Sequence, residues 1–245
     1  EVTEEIVLKI AKHVKKTTKK KYLCLAGGVA LNCVSNGKLL RAGIFDDVYI
    51  QPAAGDAGGA IGAAMIGWYQ HLGKKRETDG KTDSMSGAYL GPRFSNDSIN
   101  AYLNENGYAF SKLKDSELPE KIADLISQKK VVGWFQGRME FGPRALGSRT
   151  IIGDARSPET QKVINLKIKY RESFRPFAPS IREEDISEYF DIDRPSPYML
   201  LVAKVAKNKQ LSMTKEQESY FGLKKLNVPR SEIPAVTHVD YSARV

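Results

Sequence analysis

The sequence predicts an α/β chain of two units, and three observations carry that prediction. Its 245 residues, 41% of them hydrophobic, exceed one typical domain and suffice for two cores or one large α/β unit. In the first third, segments of helical period alternate with short apolar runs that end in glycine, as strand–turn–helix units do. Residues 72–90 (LGKKRETDGKTDSMSGAYL) are polar, charged and rich in turn formers, which marks a boundary. Units at 1–75 and 91–245, joined by a linker at 76–90, follow from this.

In chain order, Val2, Ile6, Val7, Ile10, Ala11 and Val14 recur at helical spacing and predict an amphipathic helix over 2–16, with lysines at its negative pole. Tyr22 to Ala26 reads as a buried strand running into Gly27 and Gly28, then a helix over 29–42 stopped by Gly43. A glycine pair between strand and helix serves equally as a tight turn or as an anion cradle of backbone N–H groups. Val48 to Ile50 is a second strand, followed by the glycine- and alanine-rich QPAAGDAGGA, in which Gly55 permits close backbone approach and Asp56 opens a helix. Asp56 could cap that helix or serve as a hard oxygen ligand.

Past the boundary, helices are predicted over 97–106 and 116–128, the latter with Ile122, Leu125 and Ile126 on one face. Ser157-Pro158-Glu159 predicts a further helix start with serine as cap, running to about Lys169. Residues 182–190 look helical and 198–203 strand-like. Residues 207–234 are polar, with little apolar periodicity, and predict a long surface excursion, partly disordered.

No apolar run nears the ~20 residues of a membrane helix, and the acidic, helix-patterned N-terminus is no signal peptide. Cys24 and Cys33 sit in apolar stretches and read as buried thiols of a reduced, cytoplasmic setting, with a disulfide left open. His13, His71 and His238 lie too far apart for a ligand pattern. The net charge of +9 is concentrated in short lysine clusters, so nucleic acid is not the expected partner.

The central chemical feature is residues 130–156, KVVGWFQGRMEFGPRALGSRTIIGDAR, a stretch with four arginines and five glycines that opens on an apolar strand over 131–135. Guanidinium is permanently charged and forked, so it fits two oxygens of a phosphate or carboxylate at once. Arg138, Arg144 and Arg149, with Gly142 and Ser148 between them, therefore form a candidate site for a small dianion, and Arg175 in ESFRPFAPSI is a later contributor. The opposing reading is a solvated loop whose arginines pair with Glu140 and Asp154. No side chain here is a convincing covalent nucleophile, so chemistry would rest on positioning and charge stabilisation.

Three stretches in order, LAGGVALNCVSNGKLLRAGIFDDVYIQPAAGDAGGAIGAA, GRMEFGPRALGSR and FRPFAP, resemble the O-carbamoyltransferases, the family of nodulation enzymes and of enzymes of antibiotic biosynthesis. The likeness spans nearly the whole chain. It implies part of an actin-like ATPase domain (the ASKHA fold) in front, and behind it an α+β YrdC-like domain with a twisted mixed sheet around a basic cavity. It implies that ATP and carbamoyl phosphate form carbamoyl adenylate, and that the carbamoyl group then passes to a hydroxyl of a small molecule. Gly27, Gly28 and Asn32 match the family's nucleotide stretch, joined here by Gly55. Asp56 matches a ligand of a divalent metal, iron or magnesium, and Arg144, Arg149 and Arg175 would hold the donor.

The paired histidines that complete the family's metal site are absent, and the chain stops within a stretch where the family continues, so a fragment incomplete for turnover is expected. A homodimer is left open. The rival expectations are a threonylcarbamoyl-type enzyme acting on tRNA and a non-catalytic nucleotide-binding module.

Overall fold

A computed structural model describes residues 1–245 as a mixed α/β chain with three small sheets. Helix α1 (Val2–Thr18) ends with Lys19 in the left-handed conformation. Strands β1 (Tyr22–Leu25) and β2 (Asp47–Ile50) pair in parallel, with helix α2 (Cys33–Arg41) between them in sequence. Ala11, Leu39 and Phe45 form the front core, closed by Val7, Leu8, Val14, Leu23, Leu25 and Val48.

Only one face of this pair is covered. Tyr22, Cys24 and Tyr49 alternate with the inward residues and stay exposed, so β1 is not a strand buried on both faces and Cys24 is not a buried thiol. The helix expected over 29–42 starts late. A 3₁₀ turn over Gly28–Leu31 comes first, and the Asn32 side chain then accepts the Ser35 N–H at 3.1 Å to cap α2. Gly43, with positive φ, ends the segment as predicted.

Helix α3 (Asp56–Met65) continues into a π-helical segment, Ile66–His71. Gln51 to Gly55 folds back so tightly that a Cβ on Gly58 would lie 2.2 Å from the Ala53 carbonyl oxygen. The linker is free only in its first half. From Asp83 onward the chain is anchored, because the Tyr198 hydroxyl donates to Asp83 and accepts from the Gly87 N–H, burying Met85 and Ala88.

Helices α4 (Asn96–Glu105) and α5 (Leu118–Ser127) match their predicted spans within two residues, α4 capped by Ser95. Strand β3 (Val132–Phe135) pairs antiparallel with β4 (Arg149–Ile152), and Phe135 remains exposed. Helix α6 (Thr160–Val163) again widens into a π segment, Ile164–Ile168. Ser157 does not cap it through its hydroxyl, which donates to Glu159 instead. Residues 182–190 give only a 3₁₀ turn and the short helix α7 (Ile186–Tyr189).

Strands β5 (Phe190–Asp191), β6 (Val202–Val205) and β7 (Ser242–Arg244) form an antiparallel sheet over the larger core of Phe190, Ala203, Val205, Ile233, Val236, Ala243 and Val245. The rear unit thus carries two separate antiparallel sheets where one twisted mixed sheet was expected. The reason is local: β3 and β4 satisfy one another across the arginine loop, and neither reaches β5–β7.

The 207–234 segment holds α8 (Lys215–Glu218) and α9 (Gly222–Leu226), and its far end is no surface excursion. Arg230 is 2% exposed, and its guanidinium donates to the carbonyls of Lys225, Leu226 and Val228. Burial pushes the Arg230 pKa down, and those carbonyls take the place of water and of an acid.

The two units meet where α2 lies on β6. The buried Asn36 amide donates to the Ala30 and Leu200 carbonyls, and Arg41 donates to the Val202 carbonyl at 2.9 Å. A Cβ on Gly37 would stand 2.7 Å from that same oxygen. Gly37→Ala must therefore push α2 off β6, and a loss of about 2 kcal/mol is expected in chemical denaturation. Unchanged stability would show that the seam is not tightly packed.

Candidate functional site

The predicted arginines differ in their contacts. Arg156 is committed to Asp154 through two bonds of 2.9 and 3.0 Å. Arg175 pairs with Glu172 at 2.8 Å on the surface. Arg149 stacks on the Phe135 ring at 3.4 Å and donates to the carbonyls of Gln136, Gly137 and Ser148, so it is a brace of the loop. Arg149 and Arg175 are thus each engaged by neighbouring groups.

The loop is shaped by an acid that pairs with no arginine. Glu140, 8% exposed, accepts through one oxygen from the N–H groups of Leu146, Ser148 and Arg149 at 2.7, 2.8 and 3.2 Å. Burial would raise its pKa, but these bonds outweigh burial and hold it below the ordinary carboxylate value. Gly142, at φ 126°, lets the loop pass the buried Ala53 of the front unit, which a Cβ would meet at 3.3 Å.

Arg138 donates to the Gly91 carbonyl and faces a cleft of about 300 Å³ with Arg93, Tyr89, Gln136, Gly137 and Ser148. Neither Arg93 nor Arg138 has an acidic partner there. Ser148 is buried, and its N–H is spent on Glu140.

Arg144 points the other way, into the seam. It donates to the carbonyl of Leu31, just before α2, at 3.1 Å, and its buried Nε has no partner. Arg244 of β7 also has a buried, unpartnered Nε and feels the charge of Arg144. Burial and the neighbouring charges of Arg144 and Arg171 press the Arg244 pKa down, while Cys33 at the start of α2 acts in the opposite sense. Arg171 is held by Asn165 at 2.7 Å and by the Phe177 ring. Arg244 is thus a buried cation that feels two further guanidinium charges and has no carboxylate partner, a situation that an anion would relieve.

Sequence reasoning missed Arg171, Arg244 and the organising role of Glu140. A lone acid inside a basic glycine loop was the available signal for Glu140. Nothing local distinguishes Arg244, because strand alternation alone does not say what lies opposite.

Gly27 at φ 95° donates its N–H to the Ala54 carbonyl at 2.8 Å, so the two glycine-rich turns of the front unit lie side by side. Gly27 and Gly28 have open space where a Cβ would sit, and Gly55 packs near Leu31, whereas Asn32 is engaged as the α2 cap. Asp56 is exposed in the first turn of α3, and no cluster of three His, Cys, Asp or Glu residues exists. The donor set present does not fit a metal, and no step is derived through one.

Comparison with known proteins finds two family models, one at each end of the chain. Residues 1–65 match the family model described as carbamoyltransferase N-terminus, and residues 123–245 match carbamoyltransferase C-terminus. An uncharacterized protein of Synechocystis, sll1178, is 56% identical over 246 residues, covering 100% of this chain and 40% of that protein. Nodulation protein NolO of Bradyrhizobium diazoefficiens is 40% identical over 249 residues, covering 100% of this chain and 41% of that protein. Nodulation protein U of Rhizobium fredii is 34% identical over 223 residues, covering 91% and 32%. The chain therefore spans about two fifths or less of the length of these relatives. With both family models matched in order and the second covering half of the residues, the chain belongs to the carbamoyltransferase family.

Proposed function

We propose that this chain supplies the anion-binding seam of an ATP-dependent O-carbamoyltransferase. In this reading residues 1–75 belong to an actin-like domain and 91–245 to a YrdC-like domain, joined by 76–90. Carbamoyl phosphate and ATP give carbamoyl adenylate with release of phosphate and pyrophosphate. A hydroxyl of a small acceptor then attacks the carbamoyl carbon, and AMP leaves.

The observation that carries the reading is that Arg144 and Arg244 each have a buried, unpartnered Nε, that Arg244 feels the charge of Arg144, and that neither has a salt-bridge partner. A phosphate there offsets their mutual repulsion and accepts both donors. Arg171 adds a third charge, and Gly27 and Gly28, with open space where a Cβ would sit, offer backbone for the nucleotide beside Gly55. Arg93 and Arg138 hold a second anionic group in their cleft. The protein's part in the reaction is to orient donor and acceptor and to steady the charge that gathers on the leaving phosphate.

The test is pyrophosphate release from ATP by the full-length protein. Release should require carbamoyl phosphate and should fall at least about 100-fold in the Arg144→Ala, Arg244→Ala double variant. Release that ignores carbamoyl phosphate, or survives both substitutions, would remove the assignment.

A further inference from the structure

The strap that leads from the linker towards α4 is bent in a way that folding alone does not require. Ser86, Gly87 and Ala88 adopt φ of 48°, 69° and 65° in succession, and two of the three are not glycine. A left-handed run crowds Cβ against the following carbonyl oxygen and persists only where surrounding contacts hold it. Those contacts are present. The Tyr198 hydroxyl accepts from the Gly87 N–H at 3.2 Å, the Ala88 carbonyl accepts from the Phe141 N–H at 2.6 Å, and Ala88 itself is 1% exposed. A Cβ on Gly87 would stand 2.8 Å from the Tyr89 ring, so the strap folds that ring back over its own glycine.

The bend delivers two side chains, Tyr89 and Arg93, to the cleft beside Arg138. Arg93 stands opposite Arg138 across an antiparallel bridge, fixed by the Gly91 N–H on the Met139 carbonyl and the Met139 N–H on the Pro92 carbonyl. Like charges at opposed positions repel, and the cleft lining holds no acid to answer them. Tyr89 reaches the other wall. Its hydroxyl donates to the Leu146 carbonyl at 2.5 Å, while the Leu146 N–H goes to Glu140. Burial and the Glu140 charge push the Tyr89 pKa up, so the hydroxyl keeps the proton it donates. Ser148, two residues beyond Leu146, lines the cleft. One hydroxyl therefore ties the strap that carries Arg93 to the turn that carries Ser148, against the repulsion of the two arginines.

We infer that Tyr89 is the positioning residue of this cleft, a tie that holds Arg93 and Arg138 at the spacing of one bound anion of the phosphate class. The inference rests on the reading above that the cleft takes an anionic group. With the turn before it held left-handed, Tyr89 cannot follow a retreating strap and still reach Leu146. In the empty cleft the arginines press apart and the tie resists. An anion between them cancels the repulsion, so ligand and tie favour the same closed arrangement. Without the hydroxyl the cleft widens, and the anion meets one guanidinium at a time.

The experiment follows hydrogen exchange in the full-length protein as inorganic pyrophosphate is added, read in residues 86–93 and 146–148, which report the cleft and not the Arg244 seam. Pyrophosphate should slow exchange there in the wild type and not in Arg93→Met. Tyr89→Phe keeps the ring and loses only the tie. It should need about 10-fold more pyrophosphate for the same protection. Without ligand it should exchange faster at those two segments, with α1 and the β5–β7 sheet unchanged. An unmoved midpoint in Tyr89→Phe overturns the inference, as does faster exchange spread evenly over the molecule, the mark of a merely structural residue. Protection absent from the wild type, or persisting in Arg93→Met, overturns it too. Failure of the carbamoyl-transfer reading shows separately, as pyrophosphate release that ignores carbamoyl phosphate, while the exchange result still decides the role of Tyr89.

Discussion

Replacing Arg244 with methionine is expected to abolish phosphate binding and leave the fold at least as stable. Arg244 sits on the last strand with its Nε buried and unpartnered, repelled by Arg144 and Arg171. In the empty site that charge is a liability, because burial strips its water and no carboxylate answers it. Methionine keeps much of the volume and the apolar stem contacts while removing the charge. The melting temperature should hold or rise, by the equivalent of about 1 kcal/mol.

Phosphate or carbamoyl-phosphate affinity should meanwhile fall by about 100-fold or more, the effect of removing one charge-assisted fork from a desolvated anion. Arg144→Lys should lose nearly as much, since an ammonium cannot serve Leu31 and a ligand in the same plane. Calorimetric titration and thermal melts on the same samples separate the two effects. A strongly destabilised Arg244→Met with unchanged affinity would mean that the seam is a structural contact and not a site.

Glu140→Ala should be the most damaging single change in the arginine loop. One carboxylate oxygen accepts three backbone N–H groups, from Leu146, Ser148 and Arg149, and no water-exposed alternative exists for the buried ones. Its loss leaves those donors unsatisfied and should cost about 3 kcal/mol. Glu140→Gln keeps an acceptor in place and should cost about half as much, while Glu140→Asp, one methylene short, should fall between them.

The pH dependence has a definite sign. The folded Glu140 pKa is lowered, so its contribution is complete above the unfolded carboxyl value and fades as pH drops through the folded one. Wild type should therefore lose stability in acid more steeply than Glu140→Gln. Parallel melting curves for the two between pH 7 and pH 3 would show that Glu140 does not hold the loop.

Much of the chain's local order was legible without coordinates. The period of α1, the span of α4, the apolar face of α5 and the stop at Gly43 each depend on neighbours three or four residues away, and the pattern carries that information. The limits are equally local in origin. The capping of α2 by the Asn32 side chain is one of two roles that suit a short amide between a glycine turn and a helix, and the pattern does not single it out. Cys24 was expected inside because an apolar strand says nothing about how many of its faces find a partner.

The sequence by itself determined that this is an α/β chain with a basic, glycine-jointed loop suited to an anion, since charge, backbone freedom and hydrophobic period are properties of short segments. Which arginines are free for that anion was decided only by tertiary structure. Arg149, Arg156 and Arg175 have partners within fourteen residues of themselves, whereas Arg144 reaches Leu31 across the seam and its charge is felt by Arg244 at the far end of the chain. A guanidinium's availability depends on what else can accept its protons, and those competitors are set by packing between segments that the sequence keeps far apart.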